Sequence, residues 1–150
     1  MPVDTAEAWE SVGQRLTTFA RLHSDGVLAE VPCPACGWPT LSGYGAHHVC
    51  VVCHWQDDGT TREAPDRASS LNDGMSLREA AVQVAESGVA AAPIRVLHRP
   101  QYFLPNVRAA RAELVAVYER LRADPADPEV RTEVYLGRAR LMRAIVNEMR

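Results

Sequence analysis

The sequence predicts a small α+β protein, and three observations lead there. All four cysteines fall within residues 33–53 as two Cys-x-x-Cys pairs, Cys33/Cys36 and Cys50/Cys53, with thirteen residues between them. Two tight turns of this kind, joined by a short hairpin, present four sulfurs to one point and close a tetrahedron around a metal ion. Around them lie stretches of helical periodicity with recognisable caps, the last two joined by the connector 124–128, Asp-Pro-Ala-Asp-Pro. The length of 150 residues suits one domain, or a small core with appended elements. The expected architecture is a zinc-ribbon or knuckle unit packed with three to four α-helices, including a C-terminal helical hairpin. Its segments are 1–26 (an amphipathic helix), 27–92 (the cysteine unit and a following helix) and 93–150 (a linker and the hairpin), forming one compact unit.

In chain order, residues 4–23 carry the stripe Trp9, Val12, Leu16, Phe19 and Leu22 at helical spacing. Asp4 or Thr5 caps this helix, and Ser24-Asp25-Gly26 stops it. Core packing is the default use of such a stripe, with a partner surface as the rival. Short strands are expected at 38–41 and 47–51, around the turn residues 42–45. Residues 59–74 read as a polar loop. Ser76 and Glu79 then form a capping box, and Gly88 ends the helix they open, which should cover the cysteine unit. Three prolines, Pro93, Pro100 and Pro105, prevent a single regular element over 90–105, leaving room for an edge strand at 94–97 and an apolar clip at 102–104. In the hairpin, Asn106 is the expected cap of the first helix, whose stripe is Val107, Ala110, Leu114, Val117, Tyr118 and Leu121. Asp127 caps the second helix and Pro128 takes its first position. That helix presents Val130, Val134, Leu141, Ile145 and Met149 on one side and a second row, Tyr135, Met142 and Val146. No internal repeat or low-complexity segment is expected.

The cysteine spacing carries the chemistry. Four thiolates fill a tetrahedral ion, whereas a catalytic zinc keeps a fourth position open, so a structural Zn²⁺ on Cys33, Cys36, Cys50 and Cys53 is expected. Iron fits four thiolates at this spacing as well. Two disulfides would suit an extracellular mini-protein, and a redox dithiol needs only one pair poised at a helix N-terminus, which residues 36–39 do not open. His47, His48 and His54 are substitute ligands in principle but read as partly exposed hairpin residues. Gly37 lets the first turn fold back on its sulfurs, and Trp55 is placed to shield the cluster.

These residues also carry a resemblance. The stretches CPACGWPTL, VCVVCHWQDDG and SLNDGMSLREA resemble the bacterial cysteine-rich CPCC family over residues 31–90. Matching positions include Cys33, Pro34, Cys36, Gly37, Trp38, Thr40, Leu41, Cys50, Cys53, Trp55, Asp57, Asp58, Asn72, Ser76, Leu77 and Ala80. The chain departs from the pattern at Ala35 (a cysteine in the family), Val51 (a proline), His54 (an aromatic) and Gln56 (a glutamate). The loss of the middle cysteine leaves two clean pairs, which favours four ligands and argues against a vicinal-dithiol function. The resemblance implies a fold more than an activity.

Outside the cysteines, Asp57 and Asp58 before Gly59 are a candidate polar site for a cation, an arginine or acid–base work. Adjacent strand positions point to opposite faces, so a turn capped by one of them is the plainer use. Charge is uneven: residues 1–94 hold five arginines against twelve carboxylates (−7), and residues 95–150 eleven against seven (+4). Every basic residue apart from histidine is arginine. Arg108, Arg111, Arg122, Arg138, Arg140 and Arg143 on the hairpin are therefore candidates for binding a partner, including nucleic acid, although the overall pI near 5.9 is not that of a basic domain. No apolar run reaches the roughly 18 residues of a membrane span, and a bacterial, cytoplasmic setting is expected. With no nucleophile–base arrangement in view, the expected function is a non-enzymatic zinc-binding protein-interaction module (adaptor, regulator or toxin-neutralising partner), with a protein partner or a homodimer. A nucleic-acid-associated zinc protein and a thiol-redox protein are the alternatives.

Overall fold

A computed structural model of the chain describes residues 3–90 and 103–148. Over these residues it is α+β, with four α-helices and one two-stranded antiparallel sheet. The elements cluster into two units, Met1–Ala92 and Pro93–Arg150. The expected edge strand at 94–97, and all of the 102–104 clip except residues 103 and 104, lie outside the described residues.

In the first unit, α1 (Thr5–Ser24) starts where Asp4 accepts a bond from the Glu7 amide. Arg21 and His23 lie in its last turn, where a positive charge complements the helix dipole. Ala8, Val12, Phe19 and Leu22 are buried, so the inward face is rotated slightly from the expected stripe. Trp9 and Leu16 pack at its edge, against a small cluster of Ala8, Val12 and Ala81. Trp9 is itself covered by arginines, with the Arg62 guanidinium 3.5 Å and that of Arg78 5.0 Å from its ring centre.

Strands β1 (Val31–Pro32) and β2 (Pro39–Leu41) pair antiparallel, Val31 with Leu41 and Pro32 with Pro39. This corrects the expected pairing of 38–41 with 47–51. Each cysteine turn instead zips its own flanks: Val49 forms a single bridge with Gln56 on the far side of the second turn. A tight Cys-x-x-Cys turn reverses the chain by itself, so its nearest neighbours in sequence become its strand partners, and no hairpin between the two turns is needed.

Helix α2 (Leu77–Ser87) carries the full capping box, Ser76 accepting from the Glu79 amide and Glu79 from that of Ser76. Gly88, left-handed at φ 83°, ends it. The chain then returns to the second cysteine turn, where the Ala90 amide donates to the Cys53 carbonyl (2.8 Å). Helix α2 packs against α1.

The second unit is a hairpin of α3 (Pro105–Ala123) and α4 (Pro128–Glu148). Its first cap is Leu104 rather than Asn106, because Pro105 occupies the first helical position, where its fixed φ and missing N–H cost nothing. Asn106 donates to Glu148 at the far end of α4 (2.6 Å). The Glu129 amide binds the Asp127 side chain, which starts α4 as expected. The buried seam consists of Val107, Arg111, Leu114, Tyr118 and Leu121 against Val130, Val134, Gly137, Leu141 and Ile145. Gly137 permits close approach: a Cβ there would sit 3.1 Å from Leu114 Cδ1. Among the described residues no helix is long and apolar enough to cross a membrane.

Candidate metal centre

The two cysteine turns are an internal repeat, contrary to the expectation of none. Cys33-Pro-Ala-Cys36-Gly37-Trp38 and Cys50-Val-Val-Cys53-His54-Trp55 lie seventeen residues apart. In each, the amide after the second cysteine donates to the carbonyl of the first (Gly37 to Cys33, 2.7 Å; His54 to Cys50, 2.8 Å). In each, the first cysteine's amide donates to the tryptophan carbonyl (Cys33 to Trp38 and Cys50 to Trp55, both 2.9 Å). The position after the second cysteine is left-handed in both, φ 82° at Gly37 and 67° at His54. Glycine adopts that conformation freely, whereas a histidine there is strained. His54 is also buried, so it is not the partly exposed hairpin residue expected from the sequence.

These turns bring the four Sγ atoms within 4.8 Å of one another, all fully buried. Across the turns, Cys33 Sγ lies 3.7 Å from Cys53 Sγ and Cys36 Sγ 3.8 Å from Cys50 Sγ. A tetrahedron with metal–sulfur bonds of about 2.3 Å has edges of about 3.8 Å. A disulfide needs sulfurs about 2.05 Å apart, and all four cysteines are free. The donor set and its spacing thus fit a single thiophilic cation, with every tetrahedral position taken by protein.

The surroundings prepare these sulfurs unequally. Burial first, then the neighbouring sulfurs, pushes the Cys33 and Cys36 thiols well above their ordinary range, although for Cys36 the bond with Cys33 pulls the other way. Burial also pushes Cys50 up, but the combined hydrogen bonds of Cys33, Cys36, Cys53 and the Cys53 amide overcome it and hold Cys50 well below. The Thr40 hydroxyl donates to Cys50 Sγ (2.9 Å) and the Cys53 amide lies 3.4 Å from it. Without a cation, the cluster therefore keeps protons on Cys33 and Cys36 while favouring a thiolate on Cys50. A divalent metal bound there would take the place of those protons.

Helix α1 supports the first turn. Arg15 Nε donates to the Cys36 carbonyl (2.7 Å), and its guanidinium lies 4.8 Å from the centre of the Trp38 ring. Trp38 meets Phe19 at 5.7 Å between centroids. Trp55 is fully buried. The second turn is held by Asn72, whose side chain pairs with the Gln56 backbone as a strand would, accepting from its amide and donating to its carbonyl, both at 2.8 Å. Sequence reasoning did not assign Arg15, Thr40 or Asn72 a part in this centre. For Thr40 and Asn72 the available signal was their place in the family pattern.

The remaining candidates lie elsewhere. Asp57 accepts from the Gly45 and Gly59 amides, and Asp58 from the Thr60 amide and the Ser69 hydroxyl. Both carboxylates are spent on shaping the loops between residues 45 and 69, and the bonds from Thr60 and Ser69 outweigh burial to hold Asp58 below its ordinary range. His48 pairs with Ser42 (2.8 Å) and His47 is exposed, so neither joins the cluster. A cleft of about 510 Å³ beside the first turn is lined by Leu16, Pro34, Tyr44, Thr60 and Arg62, among others, and by none of the cysteines. Tyr44 donates to the Pro32 carbonyl (2.6 Å), and burial, with Cys33 and Asp57 nearby, raises its hydroxyl to about 12. Of the arginines, Arg108, Arg140 and Arg143 are exposed, Arg122 and Arg138 half-buried, and Arg111 lies in the hairpin seam, only 6% exposed.

Residues 31–101, 71 of the 150, match the model of the family described as cysteine-rich CPCC. No curated protein and no solved structure was found similar to the chain.

Proposed function

We propose, from the match of residues 31–101 to the cysteine-rich CPCC family model and the geometry of the cluster, that Cys33, Cys36, Cys50 and Cys53 hold one structural Zn²⁺ in a non-enzymatic, cytoplasmic protein-interaction module. The observation that carries this reading is the set of four fully buried sulfurs whose cross-turn distances of 3.7 and 3.8 Å match the edge of a zinc–thiolate tetrahedron. Zinc supplies cross-linking here and no bond-making. A four-thiolate ion has no position for water or substrate, and the protein-filled geometry favours a structural ion over a redox dithiol. Iron would take the same ligands; zinc is favoured as the commoner occupant of closed four-cysteine sites. The ion also suits the size of the unit, because a small layer of turns buries too little apolar surface to hold itself closed.

The interaction part of the reading is supported by where polar and apolar groups lie. The two carboxylates that were candidates for acid–base chemistry are occupied by backbone amides. Large apolar side chains are instead left outside, on α4. The test is recovery of a partner by the tagged full chain from nuclease-treated extract. A discrete protein retained in stoichiometric amount at about 0.5 M salt supports the module. Binding that follows nucleic acid and collapses steeply over that salt range would replace it with the nucleic-acid reading.

A further inference from the structure

We infer that the outer face of α4 is a docking stripe for an acidic amphipathic helix of a partner protein. This deepens the interaction reading above and rests on it. Thr132, Tyr135, Ala139, Met142 and Val146 follow one another at intervals of three, four, three and four residues, with Leu136 beside them. That is the heptad spacing of a helix–helix seam. It is distinct from the row that α4 turns toward α3, Val130, Val134, Gly137, Leu141 and Ile145. Tyr135, Leu136, Met142 and Val146 are 45–51% exposed, and they are four of the six large apolar side chains exposed among the described residues. Helix α4 therefore has two apolar faces and uses one of them within its unit.

Charge selects the occupant. Between 134 and 147, α4 carries Arg138, Arg140 and Arg143 and no carboxylate. Arg138 and Arg143 stand immediately beside the stripe on opposite sides, where flanking charges of a helix pair choose the partner. A second copy fits poorly. Both a parallel and a centred antiparallel pairing lay this segment along itself, cation against cation. A helix with the same apolar spacing and glutamates or aspartates on its flanks meets the stripe and both arginines at once, the complementarity that favours one partner over another.

The test uses the full metal-loaded chain and two synthetic helical peptides of the length of α4. Both carry leucine at the three–four spacing; one is flanked by glutamates and the other by lysines. The Glu-flanked peptide should bind at least about tenfold more tightly at about 0.15 M salt. The double variant R138E/R143E should reverse that order, and Met142→Asp should abolish binding of both peptides while leaving metal content and thiol protection unchanged. Equal affinities, no binding of either peptide, or a Glu preference that survives the double variant would overturn the inference. So would a dimer in light scattering that Met142→Asp dissolves, because the face would then belong to a second copy. Failure here is separable from failure of the module reading: a partner recovered equally by wild type and Met142→Asp keeps the module and removes only this face.

Discussion

Replacing Gly37 by alanine probes how the first cysteine turn is held against α1. The backbone there is left-handed, φ 82°, and a Cβ would lie 2.6 Å from Arg15 Cβ and 3.0 Å from the Val12 carbonyl oxygen. Two costs follow. A left-handed conformation costs an L-residue about 1–2 kcal/mol. Forcing an atom into packed surroundings costs about 1–3 kcal/mol more, and here the obstacles are a helix backbone and a Cβ that cannot swing away. Gly45 separates the two, because it has nearly the same φ, 79°, with nothing within 4 Å of its would-be Cβ. Gly45→Ala should therefore lose about 1–2 kcal/mol and Gly37→Ala about 2–5 kcal/mol, both offset equally by the stiffer unfolded chain. The assay is urea unfolding at excess zinc, followed by tryptophan fluorescence. Trp9, Trp38 and Trp55 all lie in the first unit, so the signal reports that unit alone. If the two variants agree within about 0.5 kcal/mol, close to the additivity error of such comparisons, the tight docking of this turn on α1 is refuted.

Other consequences concern the cluster and its loops. Thr40→Val removes the hydroxyl that donates to Cys50 Sγ and should weaken metal binding about 10-fold or more in a chelator competition, with the fold retained. Asp57→Ala leaves the Gly45 and Gly59 amides without their acceptor and should cost about 1–3 kcal/mol in the same fluorescence unfolding. The pH dependence of stability should differ between metal-free and metal-loaded chain, in kind above the ordinary thiol value and in size below it. Above the ordinary thiol value of 9.0, the metal-free folded chain keeps protons on Cys33 and Cys36 that the unfolded chain releases, so its stability falls as pH rises. The loaded chain, all thiolate in both states there, should show no such fall. Below that value the unfolded chain takes back four thiol protons while the loaded fold holds none, so loaded stability falls steeply as pH falls. Without metal, only Cys50, held low, contributes a thiol slope of that sign. Urea midpoints measured across this range for both forms check the prediction.

Much of this was written locally in the chain. The caps at Asp4, Ser76 and Asp127 act within a few residues of themselves, and the structure uses each as expected. The four cysteines converge because each pair sits on its own short turn, which spacing alone conveys. The pairing of strands was harder, since a hairpin between the turns and a zipping of each turn on itself satisfy the same residue pattern. The repeat that decides between them, Cys-x-x-Cys-x-Trp in both turns, is half hidden because glycine holds the left-handed position in one and histidine in the other. Long-range support could not be read from local pattern: Arg15 reaches Cys36 from 21 residues away, and Asn72, marked only by its place in the family pattern, reaches Gln56 from 16. Arg111 misled for a related reason. An arginine on a helix suggests a solvated or partner-facing charge, yet its place four residues after Val107 and three before Leu114 puts its stem in the seam.

The most direct test of the central claim is metal stoichiometry together with thiol reactivity, on protein purified without added metal. A structural zinc site requires one zinc per chain and four thiols that resist modification until a chelator removes the ion and the tryptophan signal shows the first unit opening. Substoichiometric metal with one or two thiols reacting in the folded chain would contradict it and turn attention to redox chemistry at the same cysteines.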